Sequence, residues 1–144
     1  MGYSPNSDNP QVAQSTGTPK ANNTGTTIPK FMPVKITASG IQTIDPSIEA
    51  DVDAFGGLTS GSVADGFSTD IINSGIIKDT GLSYAPGDFL YVSKSGGITN
   101  VKPSVGVGGF VAGDWCIRLG VVSENASNPV LRDAIILIQI VGQL

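Results

Sequence analysis

The 144-residue chain carries 19 glycines and 9 prolines, and they fall all along it. A glycine costs a helix interior about 1 kcal/mol and a proline about 3 kcal/mol. The chain therefore cannot be mostly long uninterrupted helix, and it must be assembled from short elements joined by turns. Its length fits one ordinary domain, or one small domain with extensions.

The residues between the turns are β formers, most clearly after Ser83. Pro86-Gly87-Asp88 leads into Phe89 to Ser93, Ser95-Gly96-Gly97 makes a tight turn, and Ile98 to Val101 returns as the second arm of a hairpin. Gly113-Asp114 opens a second β run, Trp115 to Val122, and the turn-forming Asn125 to Pro129 precedes a third, Ala134 to Val141. Four or five short strands joined by glycine turns predict a mainly β fold, with a compact β domain over 83–144 that is a small barrel or sandwich. A domain of that size buries only about 60% of its unfolded surface, so self-association or docking would add to its stability. The run Ala134 to Ile138 sharpens this point, because a strand wetted on one face alternates and this one carries apolar side chains toward both. It is either covered twice within the monomer or lies at a subunit interface.

Upstream the pattern weakens, and 34–82 reads as a linker region. Val34, Ile36, Ile41 and Ile44 give partial period-two patterning around Ser39-Gly40, which predicts one or two short strands. Asp45 as a cap, Pro46 at the first helical position and Gly56-Gly57 beyond the end predict a short helix over Pro46 to Phe55. Leu58 to Thr80 fits a broken helix or two short strands equally well and stays unassigned.

The first 33 residues read as an extended polar arm. Val12 and Ile28 are the only branched aliphatic residues before Pro29, too few to offset the entropy of ordering the segment. Fully extended, its first 29 residues would reach on the order of 90 to 100 Å. Two prolines bracket Phe31 and Met32, so the backbone there is expected to stay extended while presenting large apolar groups. Tyr3, Ile28, Phe31 and Met32 are accordingly the expected partner-binding side chains, filling pockets on a neighbour.

Composition removes several function classes. The net charge of −4 would repel a phosphate backbone, so no nucleic-acid partner is expected. Histidine is absent and Cys116 is the only cysteine, which removes histidine acid–base chemistry, a Cys/His zinc site and an intrachain disulfide. The start of the chain lacks the basic residue and apolar stretch of a secretory signal, and Asn6 stands where myristoylation needs Ser or Thr. No apolar run approaches the roughly 20 residues of a membrane span, so no membrane partner is expected. The sequons at Asn22 and Asn125 would matter only in a secretory compartment.

Candidate chemistry does not hold up either. Asp51-Val52-Asp53-Ala54-Phe55-Gly56 copies part of a calcium loop, but Phe55 takes a ligand position and Ser62 stands where the bidentate Glu belongs. Gly106-Val107-Gly108-Gly109 lacks the lysine and helix of a phosphate loop. Asp88 and Asp114 each follow a glycine before a strand, which is turn chemistry. Cys116 reads as a small buried apolar group and Trp115 as core. No catalytic, cofactor-binding or metal residues are expected, and the chain does not read as an enzyme.

The series Gly87-Asp88-Phe89-Leu90-Tyr91-Val92, Gly97-Ile98-Thr99, Gly113 to Val122 and Ile135 to Ile140 resembles the small β domain of tailed-phage head decoration proteins, also called capsid cement proteins. The likeness spans about Ser83 to Leu144 and consists of turn glycines and β runs; the loop Val105 to Ala112 is longer than usual for that pattern. The resemblance implies a structural virion protein on the outer surface of the capsid head, with the phage major capsid protein as partner. An arm and a knob engaging together would clamp neighbouring subunits through effective concentration, with the protein itself a dimer or trimer. The alternative is a phage tail or fibre component whose β domain binds a host surface glycan.

Overall fold

The computed structural model describes the backbone of Gln14–Ser15 and residues 18–144. The strands are β1 (Gln14–Ser15), β2 (Lys20–Ala21), β3 (Pro33–Thr37), β4 (Gly40–Thr43), β5 (Phe55–Thr59), β6 (Ser68–Thr69), β7 (Ile71–Ile77), β8 (Phe89–Val92), β9 (Ile98–Thr99), β10 (Trp115–Glu124) and β11 (Arg132–Gln143). The one helix among the described residues is α1 (Glu49–Asp53). The mainly β class read from the sequence is the class the chain adopts. Antiparallel pairing runs β4-β3-β5-β7-β11-β10-β8-β9 and curls into a half-barrel, with β1 on β7 and a separate β2–β6 pair.

The expected hairpin is there as β8 and β9, with Tyr91 opposite Thr99 and Val92 opposite Ile98. The two later β runs are there as β10 and β11, each longer than the apolar stretch that announced it. Their alternation places Ile117, Leu119, Val122, Ala134 and Ile136 in the main core with Leu90 and Val92. Gly120 has no side chain because β11 passes too close: a Cβ there would lie 2.0 Å from the Ile135 carbonyl oxygen.

The region expected to be a linker is instead half of the sheet. β3, β4, β5 and β7 all belong to it, and Val34, Leu58, Ile71 and Ile72 are buried. The unassigned stretch from Leu58 to Thr80 contains β7, which joins the two halves by pairing with β5 through Ile71 and Ile72 and with β11 through Ser74 to Ile77. The short helix is also narrower than expected. Asp45 accepts hydrogen bonds from the Ser47 amide at 2.9 Å and from the Ser47 hydroxyl at 2.6 Å. It closes that turn, and the helix starts after Ile48 with no side-chain cap.

Two hydrophobic clusters flank the first half. Val34, Ile36, Ile41 and Ile71 point to one side of it, where Ile28 and Val63 close over them. Phe31, Ile44, Val52, Leu58 and Ile72 point to the other side and merge with the core of β8, β10 and β11. The first half is therefore covered on both faces.

Residues 20–33, counted with the arm on composition, supply part of that cover. Asn22 has no exposed surface, and every polar group it carries is used. Its amide donates to the Phe67 carbonyl at 2.8 Å and its carbonyl accepts from the Gly66 amide at 2.7 Å. Its Nδ2 donates to the carbonyls of Thr26 at 2.7 Å and Val63 at 2.8 Å, while its Oδ1 accepts from the Thr24 amide and hydroxyl. Hydrogen bonds hold this segment where apolar side chains are few. Gly40 faces it closely: φ is 126° and a Cβ would sit 2.2 Å from the Ala21 carbonyl oxygen.

Candidate functional site

β10 and β11 are rich in branched side chains, and period-two alternation sends half of these to the core and half away from it. On the outward side the register sets Phe89 of β8 opposite Val121 of β10, Val121 opposite Ile135 of β11, and Ile135 opposite Ile76 of β7. Four apolar side chains thus form one row across four strands, and Leu137, two residues further along β11, adds a fifth. Phe89 is 49% exposed and Leu137 72% exposed, so no described residue covers this row. Phe89, Val121, Ile135 and Leu137 line one shallow depression together with Gly120 and Arg118.

Arg118 bounds the row at one end. Its guanidinium lies 5.0 Å from the centre of the Phe89 ring, where the ring face attracts the cation, and it donates to Gln139 Oε1 on the neighbouring strand. The charge is thereby held in place against the patch.

A second apolar surface lies in the loop between β9 and β10. Val101, Val105, Val107 and Val111 are all exposed, yet the loop is ordered by its own contacts. Phe110 is buried inside it, its amide donates to the Val107 carbonyl at 3.1 Å, and its carbonyl accepts from the Gly106 amide at 2.9 Å. Asp114 anchors the far end. Its buried carboxylate accepts from the Val111 amide at 2.9 Å and from Lys94 Nζ at 2.7 Å. The Lys94 ammonium and then the Val111 amide hold its carboxyl below the usual carboxylate range, against the opposing effect of burial. This is the turn chemistry expected of Asp114. Asp88 does the same, accepting from the Ala85 amide and from Asn100.

The expected partner-binding residues are elsewhere. Ile28 and Phe31 are only 3% and 5% exposed and sit in the chain's own two cores, which leaves neither free to fill a neighbour's pocket. Met32 is half-buried against the Ile28 cluster. Tyr3 lies outside the described residues. The prolines do not hold Phe31 extended, because Pro29 and Pro33 restrict Ile28 and Met32, leaving Lys30 and Phe31 free to turn. Phe31 takes the left-handed conformation at φ 61°. Thr59 secures it by accepting the Phe31 amide at its carbonyl and the Met32 amide at its hydroxyl, while the same hydroxyl donates to the Pro29 carbonyl.

Other sequence candidates resolve into structural roles. Asp51, from the partial calcium pattern, is buried and paired with Lys35 Nζ at 2.5 Å, and its other oxygen accepts the Asp45 amide. Among the described residues, no three of His, Cys, Asp and Glu come together as metal ligands. Cys116 is buried as expected, and burial pushes its thiol up against a weaker pull from Lys102 and Arg118. Asn125 closes the β10–β11 turn by accepting the Ser127 and Asn128 amides.

Phe89, Val121 and Leu137 were not singled out by sequence reasoning. Their signal was the unbroken apolar run Ala134 to Ile138, which shows that a second face exists without showing which neighbours complete it. Comparison with protein-family models, curated proteins and solved structures found no match for this chain.

Proposed function

We propose that this chain is a structural virion protein that binds the outer surface of an assembled phage capsid and holds neighbouring major capsid protein subunits together. One observation carries the reading: the C-terminal half presents two separate apolar surfaces, the row on the sheet and the valine loop. A fastener needs more than one contact held on one rigid assembly, whether to the shell or to another copy of itself, because linked contacts reinforce one another through effective concentration even when each is weak. The strand and turn pattern of Ser83 to Leu144, with its resemblance to head decoration proteins, supports the same reading.

In this role the sheet keeps its two apolar surfaces in fixed relation, and nothing chemical has to happen at either. The clamp does not depend on an arm anchored by Ile28 and Phe31. It relies on β10, whose start carries the valine loop and whose middle carries the row about 20 Å away, at about 3.3 Å per residue.

The experiment is co-sedimentation of the full chain with assembled heads of the virus that encodes it. Stoichiometric binding is expected, and the double variant Val105→Asp, Val111→Asp should lose at least about tenfold in affinity, since it places two charges in the valine-loop contact, where they would be desolvated. Absence of the parent protein from the pelleted heads would overturn the proposal. Binding to host cells instead would favour a tail or fibre component.

A further inference from the structure

We infer that the row Phe89, Val121, Ile135, Leu137 is the contact surface for a second copy of this chain, packed face to face about a two-fold axis. The first argument is architectural. A sheet apolar on both faces is stable only when another layer buries each, and the first half of this sheet has both of its faces buried by its own chain. The second half has the core on one side and the exposed row on the other. A second copy of the row supplies the layer that no described residue provides, at the spacing of about 10 Å usual for stacked sheets.

Area is the second argument. The exposed parts of the row together with Arg118, Gln139 and Val141 come to on the order of 500 Å², at the upper end for the largest patch on a monomer. That is more than half of the roughly 800 Å² each partner gives to an ordinary stable interface. A contact of that size is below the standard class and fits a reversible dimer rather than an obligate one.

Charge is the third. The row is neutral apart from Arg118, already placed on the Phe89 ring and bonded to Gln139. A two-fold axis through the middle of the row puts the two Arg118 side chains at opposite ends of the contact, because Arg118 lies three residues, about 10 Å, along β10 from Val121. The contact is isologous and closes on itself, so it stops at two copies. With the row taken by a second copy, the capsid contacts of the clamp would be the two valine loops of the dimer, one for each of two capsid subunits; this last consequence rests on the capsid reading, whereas the pairing does not.

The test is sedimentation equilibrium of the full chain from about 1 to about 100 μM, a range that brackets a micromolar Kd. Leu137→Asp and the milder Leu137→Ser are compared with Val130→Asp, which changes an equally exposed apolar residue in the β10–β11 turn, and circular dichroism checks the fold of each. A parent dimer that Leu137→Asp weakens at least tenfold, and that Val130→Asp leaves intact, supports the inference. A parent that stays monomeric throughout, or a dimer unaffected by both Leu137 variants, overturns it. Pelleting with assembled heads runs in parallel. A dimer that fails to pellet keeps the pairing and removes the capsid reading, and a monomer that pellets does the reverse.

Discussion

The two halves of this sheet solve the same problem differently. β3, β4 and β5 have apolar side chains on both faces, and both faces are buried within the chain: Val34, Ile41 and Ile71 under Ile28 and Val63, and Leu58 and Ile72 in the main core. β8, β10 and β11 also have apolar side chains on both faces, but only one is buried. The difference does not lie in the strands, which are equally rich in branched residues. It lies in whether a segment elsewhere in the chain returns to lie over them. In the first half residues 20–29 do so, and they are held chiefly by the hydrogen bonds of Asn22. An apolar face under such a cover is structural; the similar face of β8, β10 and β11 has none among the described residues, which is the ground for the inferred pairing.

The largest effect should come from the face with its own cover. Ile71 has no exposed surface and lies in the smaller cluster. Ile71→Ala should cost about 3 kcal/mol, from lost transfer energy and the cavity it leaves, read as a shift in the urea midpoint at unchanged slope. A cost below about 1 kcal/mol would mean that the second cluster is not packed, and the contrast between the halves would disappear. Asn22→Ala should follow at about 2 kcal/mol, because it removes the four hydrogen bonds of a fully buried side chain, to the Thr26 and Val63 carbonyls and from the Thr24 amide and hydroxyl. Hydrogen exchange should then quicken first at Ile28 and Val63, whose amides bond to each other's carbonyls.

Acid should act on the seam between the halves. Asp45 follows β4, Asp114 precedes β10, and the Trp115 amide donates to the Pro46 carbonyl at 2.8 Å between them. Hydrogen bonds from Ser47, with a smaller pull from Lys94, hold the Asp45 carboxyl below its ordinary value, and Lys94 does the same for Asp114. A carboxyl whose folded value is depressed stabilises the fold fully above its unfolded value of about 3.9, and that contribution fades as pH falls through the folded value. Stability should therefore be level in this respect above about pH 5 and decline below about pH 4. Lys94→Met should raise the Asp114 pKa, readable by carboxyl carbon NMR. An unchanged value would show that the ion pair is not what holds it down.

How much of this was legible in the sequence follows the same division. β8 to β11 were readable because their signals are local: Gly-Asp turns, a glycine hairpin and runs of branched residues adjacent in the chain. The first half was not, because what makes it fold is remote. Asn22 bonds to Val63, Gly66 and Phe67, and Thr59 bonds to Pro29, Phe31 and Met32. Counting apolar residues marks residues 18–33 as unable to order, since it gives no weight to a buried amide with every hydrogen bond made. The docking row was half legible. Ile135 and Leu137 belong to a run that visibly lacks alternation, but Phe89 and Val121 join them only through cross-strand register, and a shift of one residue would turn them to the other face.

The smallest expected effect is the most discriminating. Leu137→Thr replaces a side chain that is 72% exposed by a good strand former, so in the isolated monomer it should change stability by no more than about 0.5 kcal/mol. Ile71→Thr, the corresponding change on the first half, should cost several times more because it buries a hydroxyl among Ile28, Val34 and Val63. If the row is occupied in solution, the Leu137→Thr penalty should grow with protein concentration, since a dimer stabilises its folded subunits by mass action. A small penalty at high dilution that rises across the micromolar range marks the row as a surface completed by another molecule. A large penalty that does not vary with concentration would place cover for Leu137 within the chain itself, and the two halves of the sheet would then be alike.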